Sequence, residues 1–314
     1  MLRNVTLRQL RVLAAVGRTA SVTRAAALLH VTPPAVTLQL QALEVEAGLP
    51  LVERGPGGMT LTRAGQEVAE AAARIEATLA DCGALLAALS GAERGTVSAG
   101  VTSTAKYFAP RALAAFARAH PALELRLSVG NRAETIAGLR DHMLDLAVMG
   151  RPPGDLAVDA TPIGPHPHVI VAEPSHPLAT LHGIAPAELA EETFLVREPG
   201  SGTRSLMERF FAEHGLFPRI GMEIGSNETI KQAVMAGLGI AFLSAHTLDL
   251  EVESRRLVVL DVEGLPIIRH WYAVTMAERR LTPAAQLLRQ FLAEEGARFL
   301  PGAFRDSPRA ARVT

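Results

Sequence analysis

The stretch His30–Glu44, HVTPPAVTLQLQALE, places two prolines at the head of a segment whose apolar residues recur with helical spacing. Val36, Leu40, Leu43 and Ala47 fall at i, i+4, i+7 and i+11, the buried stripe of a helix. At roughly 100° per residue, Pro34, Thr37, Leu38 and Gln41 share the opposite face. The first-turn amides of a helix have no intrahelical partner, so prolines there sacrifice no hydrogen bond, and Thr32 is placed to cap them. The two prolines mark a helix start.

Working upstream, Leu7, Leu10, Val12, Leu13 and Val16 form one face of a helix that closes at Gly17. Ser21 reads as the N-cap of a short helix, Val22 to Leu29, with Ala25, Ala26 and Leu29 inward, and HVT makes a tight turn. Two helices so joined, the second polar on its outer face, form a helix-turn-helix able to enter the major groove. There Gln41 can read a base edge, Thr37 a base or phosphate, and Leu38 a thymine methyl. An ordinary helical hairpin with a solvated outer face has the same spacing. Downstream, LPLVERGPGGMTLTRAG (49–65) alternates like a small hairpin around Gly55 to Gly58, with Arg54 at its base. A wing beside a recognition helix presents an arginine to phosphate in this way.

Composition bounds the remainder. A chain of 314 residues with 48% apolar residues is globular and long enough for roughly two or three domains. The longest nearly unbroken apolar run, Ala233 to Ala245, is well short of the ~20 residues of a membrane span. The arginine-bearing N-terminus lacks the pattern of a signal peptide, and the chain is read as cytoplasmic. One cysteine, Cys82, leaves neither an internal disulfide nor a cysteine-based zinc site. Up to Thr62 there are six arginines against three glutamates, a mildly basic start in a chain of net charge −1. That excess alone does not establish nucleic-acid binding.

After Thr62, which reads as a cap, an alanine-rich segment runs without proline to Leu89. Val68, Ala72, Ile75, Leu79, Cys82, Leu86 and Leu89 alternate steps of four and three, a heptad seam that predicts pairing with a helix of a second subunit. Packing onto its own domain is the alternative, and Cys82 in the seam reads as a small core residue. SGAERG, Ser90 to Gly95, marks a boundary. Beyond it strand-like and helix-like segments alternate, implying a mostly parallel sheet with ligands at the C-terminal ends of its strands. Two α/β lobes are expected, the chain crossing near Ile163 to Pro167 and returning near Pro266 to Arg269. A final helix spans Pro283 to Phe299, and the last stretch reads as a disordered basic tail.

Four polar strand-to-helix turns suit an anion at a helix N-terminus: Thr102 to Lys106, Gly130 to Glu134, Glu198 to Arg204 and Gly225 to Lys231. They nominate Thr102, Ser103, Thr104, Lys106, Asn131, Arg132, Glu198, Gly200, Ser201, Thr203, Arg204, Asn227 and Lys231 as ligand-binding residues. The chain has 29 arginines and two lysines, and both lysines fall in these turns, one per lobe, as a clamp for an anionic ligand. No catalytic constellation emerges. PGSGTR is neither a P-loop nor a nucleophile elbow, and GLG at Gly237 to Gly239 leads into a strand. His166 and His168 flank a proline at the crossover without a third metal ligand, which suits a hinge or surface role. A solute-binding protein would fit the lobes but not the first 89 residues.

From Leu7 to Gly65 the chain resembles the winged helix-turn-helix of LysR-type transcriptional regulators, and MAGLGIAFLS and LRDHMLDLAVMG resemble recurring segments of that family's effector domain. The resemblance covers roughly residues 4–300. It implies an all-α winged helix-turn-helix (1–62), a linker and dimerisation helix (63–89), and an α/β two-lobed domain like a type 2 periplasmic binding protein (90–301). Lobe I would take in about 93–162 and 269–301, lobe II about 163–268, leaving a tail at 302–314. DNA contacts would fall to Arg24, Thr32, Pro33, Pro34, Thr37, Leu38, Gln41 and Arg54. Pro33, Thr37 and Leu38 stand where the family commonly has glutamine, serine and a basic residue, which bears on operator sequence. VGNRAETIAGLRDHMLDLAVMGRPP, VREPGSGTR and GSNETIKQAVMAGLGIAFLSAHTL look most like the subgroup that activates Calvin-cycle carbon-fixation operons. That likeness implies double-stranded promoter DNA, a homo-oligomer (dimer or dimer of dimers) and RNA polymerase as partners. It further implies no cofactor and a small-molecule effector, either a phosphorylated metabolite or a nicotinamide nucleotide phosphate. A small carboxylate effector for another metabolic operon is the alternative.

Overall fold

The computed structural model describes residues 2–55, 58–89 and 95–302. The chain divides into two compact units, the first running to Leu86 and taking in Asp141–Met143, the second holding the rest.

In the first unit α1 (Leu7–Thr19) opens with a capping box, Thr6 Oγ1 accepting from the Gln9 amide at 3.3 Å and Gln9 Oε1 from the Thr6 amide at 2.8 Å. It does not close at Gly17 as expected. It continues to Thr19 and ends on Ala20 in the left-handed region at φ 51°. Gly17 is there for proximity, since a Cβ at this position would stand 2.8 Å from Leu61 Cδ1. Next, α2 (Val22–Leu28) is capped by Ser21, whose Oγ accepts from the Arg24 amide at 3.4 Å. The turn through His30, φ 54°, leads into α3 (Pro33–Ala47), which stops at Gly48. Val36, Leu40, Leu43 and Ala47 are all buried and dock α3 on Leu13, Val16, Ala25 and Ala26. The hairpin β1 (Val52–Gly55) and β2 (Gly58–Leu61) pairs Val52 with Leu61 at its open end and Gly55 with Gly58 at its tip. Arg54, opposite Met59, is therefore one pair from the tip and not at the base.

The helix α4 (Arg63–Leu89) starts on Thr62, whose Oγ1 accepts from the Gly65 amide at 3.0 Å. Its 27 residues extend about 40 Å. Val68 and Ala72 join the core of the first unit, but Ile75, Leu79 and Leu86 are 41%, 46% and 61% exposed, and Cys82 is exposed too. Within one chain, Cys82 is thus not a core residue, because the seam turns off the domain after Ala72. The boundary expected at Ser90 to Gly95 lies outside the described residues apart from Gly95, as does the tail apart from Gly302.

In the second unit β3 (Gly95–Thr102), α5 (Ala109–Ala119), β4 (Leu123–Gly130), α6 (Arg132–Arg140) and β5 (Leu146–Met149) form a parallel β-α arrangement, with β3 between β4 and β5. Then β6 (Val158–Ala172) leaves the first lobe. The second lobe adds β7 (Thr193–Val196), α7 (Gly202–Glu213), β8 (Arg219–Glu223), α8 (Asn227–Met235), β9 (Ala241–Ser244), α9 (Asp249–Glu253) and β10 (Val258–Val259). Finally β11 (Ile267–Met276) returns beside β6, and α10 (Pro283–Glu295) packs on the first lobe. The order β10-β6-β11-β5-β3-β4, with β9 also on β6, is mixed where a mostly parallel sheet was expected. The reason is the crossover: an outgoing and a returning strand that pair along their length must run antiparallel.

The apolar runs are legible as strands buried on both faces. In β5, Leu146 and Val148 enter a core with Phe108, Phe116, Trp271 and Leu288, while Ala147 and Met149 enter another with Leu139 and Val274. In β6, Ile170 and Ala172 meet Phe194, Phe210 and Phe211, while Val169 and Val171 meet Leu195, Ile230 and Leu243. At the sheet's edge, Leu123 and Leu125 of β4 pack inward but Leu127 and Val129 are exposed.

Candidate functional sites: a recognition helix and an interlobe cleft

On the first unit, Thr32, Pro33, Pro34, Thr37, Leu38 and Gln41 are all exposed along one side of α3. Thr32 occupies the N-cap position, with φ −84° and ψ 150°, but its side chain makes no capping bond. A cap accepts from the second or third helical amide, and the second here is Pro34, which has none. Thr37 Oγ1 donates to the Pro33 carbonyl at 3.2 Å, leaving its lone pairs outward. Leu38 is 64% exposed on the same side. Arg24 on α2 and Arg54 on β1 are exposed, and among the described residues neither has a carboxylate partner.

On the second unit, a cleft of about 450 Å³, including its open mouth, lies where β6 and β11 pass between the lobes. Of the nominated residues, Thr102, Ser103 and Thr104 after β3, Asn131 and Arg132 after β4, and Ser201 and Thr203 at the start of α7 line it. Thr104, Ser201 and Thr203 are nine-tenths buried or more, and among the described residues their hydroxyls have no hydrogen-bond partner. Asn131 also caps α6, its Oδ1 accepting from the Glu134 amide at 2.9 Å.

The other nominated residues stand outside the lining. Lys106 pairs with Glu228 at 2.7 Å, and buried Lys231 pairs with Glu251 at 2.9 Å, so the two lysines do not clamp the cleft. An ammonium already neutralised by a carboxylate has little left for a ligand. Arg204 is spent on Glu208 at 2.8 Å and Glu223 at 2.5 Å. Glu198 holds Arg197 bidentately, at 2.8 and 2.9 Å, and Asn227 accepts from Arg197 at 2.5 Å. Gly200, with φ 86°, marks close approach: a Cβ there would lie 3.2 Å from the Ala133 Cβ.

The strand-to-helix turns did not disclose Met149, Gly150, Arg151, His166, His168, Arg197 and Arg269, all of which line the cleft. Four arginines therefore face it, Arg132, Arg151, Arg197 and Arg269, with no aspartate or glutamate in the lining. Arg197 is neutralised by Glu198, and Arg132 donates to the carbonyls of Arg151 and Pro152. Arg151 and Arg269 have no hydrogen-bonded side-chain partner among the described residues. Burial, then repulsion from Arg209, Arg151 and Arg132, brings the Arg269 guanidinium down to about 10. Burial, then Arg151, lowers Arg132 as well. Like charges held together in this way are relieved by an anion.

His166 and His168 are buried, not on the surface. His166 stacks on Trp271 at 3.7 Å between centroids and bonds Ser244 Oγ through Nε2 at 2.9 Å. Burial, then His168 and His246, pushes its pKa well below the usual histidine value. Burial, then Arg269, lowers His168 to about 3. Both imidazoles are neutral, so the net charge of the cleft comes from its arginines.

A model of the bacterial regulatory helix-turn-helix protein, lysR family, matches residues 7–66, and a model of the LysR substrate binding domain matches residues 90–297. The transcriptional regulator CbbR of Xanthobacter flavus is 54% identical over 94% of this chain and 90% of that protein. The RuBisCO operon transcriptional regulator of Allochromatium vinosum is 48% identical over 94% of this chain and 98% of its own length. Among solved structures, the Synechocystis PCC6803 CcmR regulatory domain in complex with 2-PG is 36% identical, with a TM-score of 0.62, and covers 64% of this chain and 96% of that one. The two family matches together cover residues 7–66 and 90–297, most of the chain, and the chain belongs to the LysR family of bacterial helix-turn-helix transcriptional regulators.

Proposed function

We propose that this regulator controls carbon-fixation genes and responds to a small phosphorylated acid bound between its lobes. The observation that carries the reading is the cleft lining: four arginines, three unpartnered hydroxyls and no carboxylate among the described residues. Phosphate needs several donors around a tetrahedral anion, and the start of α7 adds backbone amides to those side chains. The names of the CbbR and RuBisCO operon relatives, and the 2-PG bound by the CcmR domain, support the same class of gene and ligand. The exposed face of α3 would enter a major groove, with Gln41 and Thr37 reading base edges, Leu38 a thymine methyl, and Arg24 and Arg54 positioned on phosphates. The exposed seam of α4 would pair two subunits and set two recognition helices about one DNA turn apart. Such a protein acts in the cytoplasm, with the chromosome.

Calorimetric titration with 2-phosphoglycolate, glycolate and inorganic phosphate, beside gel-shift binding to promoter DNA of a carbon-fixation operon, tests the proposal. Phosphoglycolate should bind at least tenfold more tightly than either fragment. Equal binding of glycolate would favour a carboxylate effector, and absence of DNA binding would remove the regulatory reading.

A further inference from the structure

The chain's two lysines converge on one ring outside the cleft lining: Lys106 Nζ and Lys231 Nζ lie 5.4 and 5.0 Å from the Tyr107 centroid. Lys106 also donates to Glu228 Oε2 at 2.7 Å, and the Tyr107 hydroxyl donates to Glu228 Oε1. Lys106 and Tyr107 belong to the turn between β3 and α5 in the first lobe, whereas Glu228 and Lys231 belong to α8 in the second. Lys231, 5% exposed, is held by Glu251 and by the Thr247 carbonyl, both at 2.9 Å. Beside this group Arg197 donates to Ser103 Oγ at 3.0 Å and Asn227 Nδ2 to the Ser103 carbonyl at 3.4 Å, also across the lobes.

Among the described residues only β6 and β11 carry the chain between the lobes, an arrangement in which rotation of one lobe against the other is the expected motion. We propose that Lys106, Tyr107 and Glu228 form an interlobe latch that holds the cleft closed and regulates entry and release of the effector, an inference that rests on the reading of the cleft as the effector site. Burial works to raise the Glu228 pKa, but the bonds from Lys106 and Tyr107 outweigh it and bring it to about 2. Burial, then Glu228, pushes Tyr107 upward, so it keeps the proton it donates. The Glu228 side chain is 49% exposed, which suits a contact that opens and recloses rather than a permanent core pair. The turn that carries the latch also carries Ser103 and Thr104 into the cleft, so latch and ligand act on one coordinate.

Hydrogen–deuterium exchange of the full-length, ligand-free protein tests the latch. Wild type is compared with Tyr107→Phe, which keeps ring and volume, and with Glu228→Gln. Loss of a charge-assisted bond should speed exchange about tenfold in residues 102–108 and 226–236. The decisive readout is α8 in Tyr107→Phe, because the substitution lies in the other lobe. Unchanged α8 exchange in that variant overturns the latch, as does a uniform rise throughout both lobes, which reports general loosening. Phosphoglycolate affinity is measured in parallel and should weaken severalfold in both variants. If wild type binds no phosphorylated ligand, the effector reading fails while the exchange comparison still decides the latch.

Discussion

Arg269 stands opposite His166 in the β6–β11 pairing, without a hydrogen-bonded side-chain partner among the described residues and with its pKa lowered by burial and three other arginines. Under the proposed function, replacing it with glutamine removes a charge-assisted bond to the effector worth about 1.5–3 kcal/mol. Arg269→Gln should therefore weaken phosphoglycolate binding by roughly 10- to 100-fold in a calorimetric titration while leaving DNA binding intact. Wild-type affinity in that variant would count against an arginine-held phosphate. The neighbouring histidines make a separate prediction about acid. Their folded pKa values are depressed, to about 3 for His168 and well below the usual value for His166. The stability they contribute is thus fully present above the unfolded value near 6.5 and is lost as pH falls from there toward 3. Urea unfolding of the second unit should lose up to about 1.4 kcal/mol per pH unit for each histidine below pH 6.5. His168→Phe should remove one of the two contributions, and an unchanged slope would refute it. Thr102, Ser103, Thr104, Ser201 and Thr203 were legible as cleft residues because turns after strands follow a local grammar. Arg269 was not, because its facing depends on the partner strand, and the register shift between Trp271 and Tyr272 breaks the alternation of RHWYAVTM.

At the scale of the element, α3 was legible down to its four buried residues, but its cap was not. The sequence placed Thr32 correctly at the N-cap, yet the same prolines that announce the helix remove an amide that a cap would bond. This yields a contrast: Ser21→Ala, which deletes a formed cap, should cost about 1 kcal/mol, whereas Thr32→Ala should stay within about 0.5 kcal/mol. Thermal unfolding of the first unit distinguishes them, and equal losses would mean that Thr32 caps after all. For α4, a period of 3.5 pointed to a helical partner without saying where the helix leaves its own domain. Val68 and Ala72 are held within the first unit, so the free seam begins at Ile75. Leu79→Glu places a charge in that seam and should shift sedimentation toward the monomer at micromolar protein, while Glu70→Lys, outside the seam, should not. An unchanged oligomer in Leu79→Glu would assign dimerisation to another surface.

At the scale of the molecule, two compact units carry the two halves of the function, and regulation requires that their equilibria be linked. Effector that binds only the closed lobes stabilises the second unit by about 2.7 kcal/mol at a hundredfold excess over its Kd. For a domain of this size that is a rise of roughly 5–10 °C in melting temperature. Such a rise alone shows binding, not control. Control is a coupling free energy, typically 1–3 kcal/mol or about 5–150-fold in affinity, and it is reciprocal. If phosphoglycolate changes operator affinity by some factor, operator DNA must change phosphoglycolate affinity by the same factor. The two halves of that cycle are measurable independently, by fluorescence anisotropy of labelled DNA with and without effector and by calorimetry of the effector with and without DNA. The expected outcome is one shared factor well above or below unity, moved toward unity when Tyr107→Phe lets the lobes open without ligand. A shared factor of one would leave two binding sites on one chain with nothing passing between them.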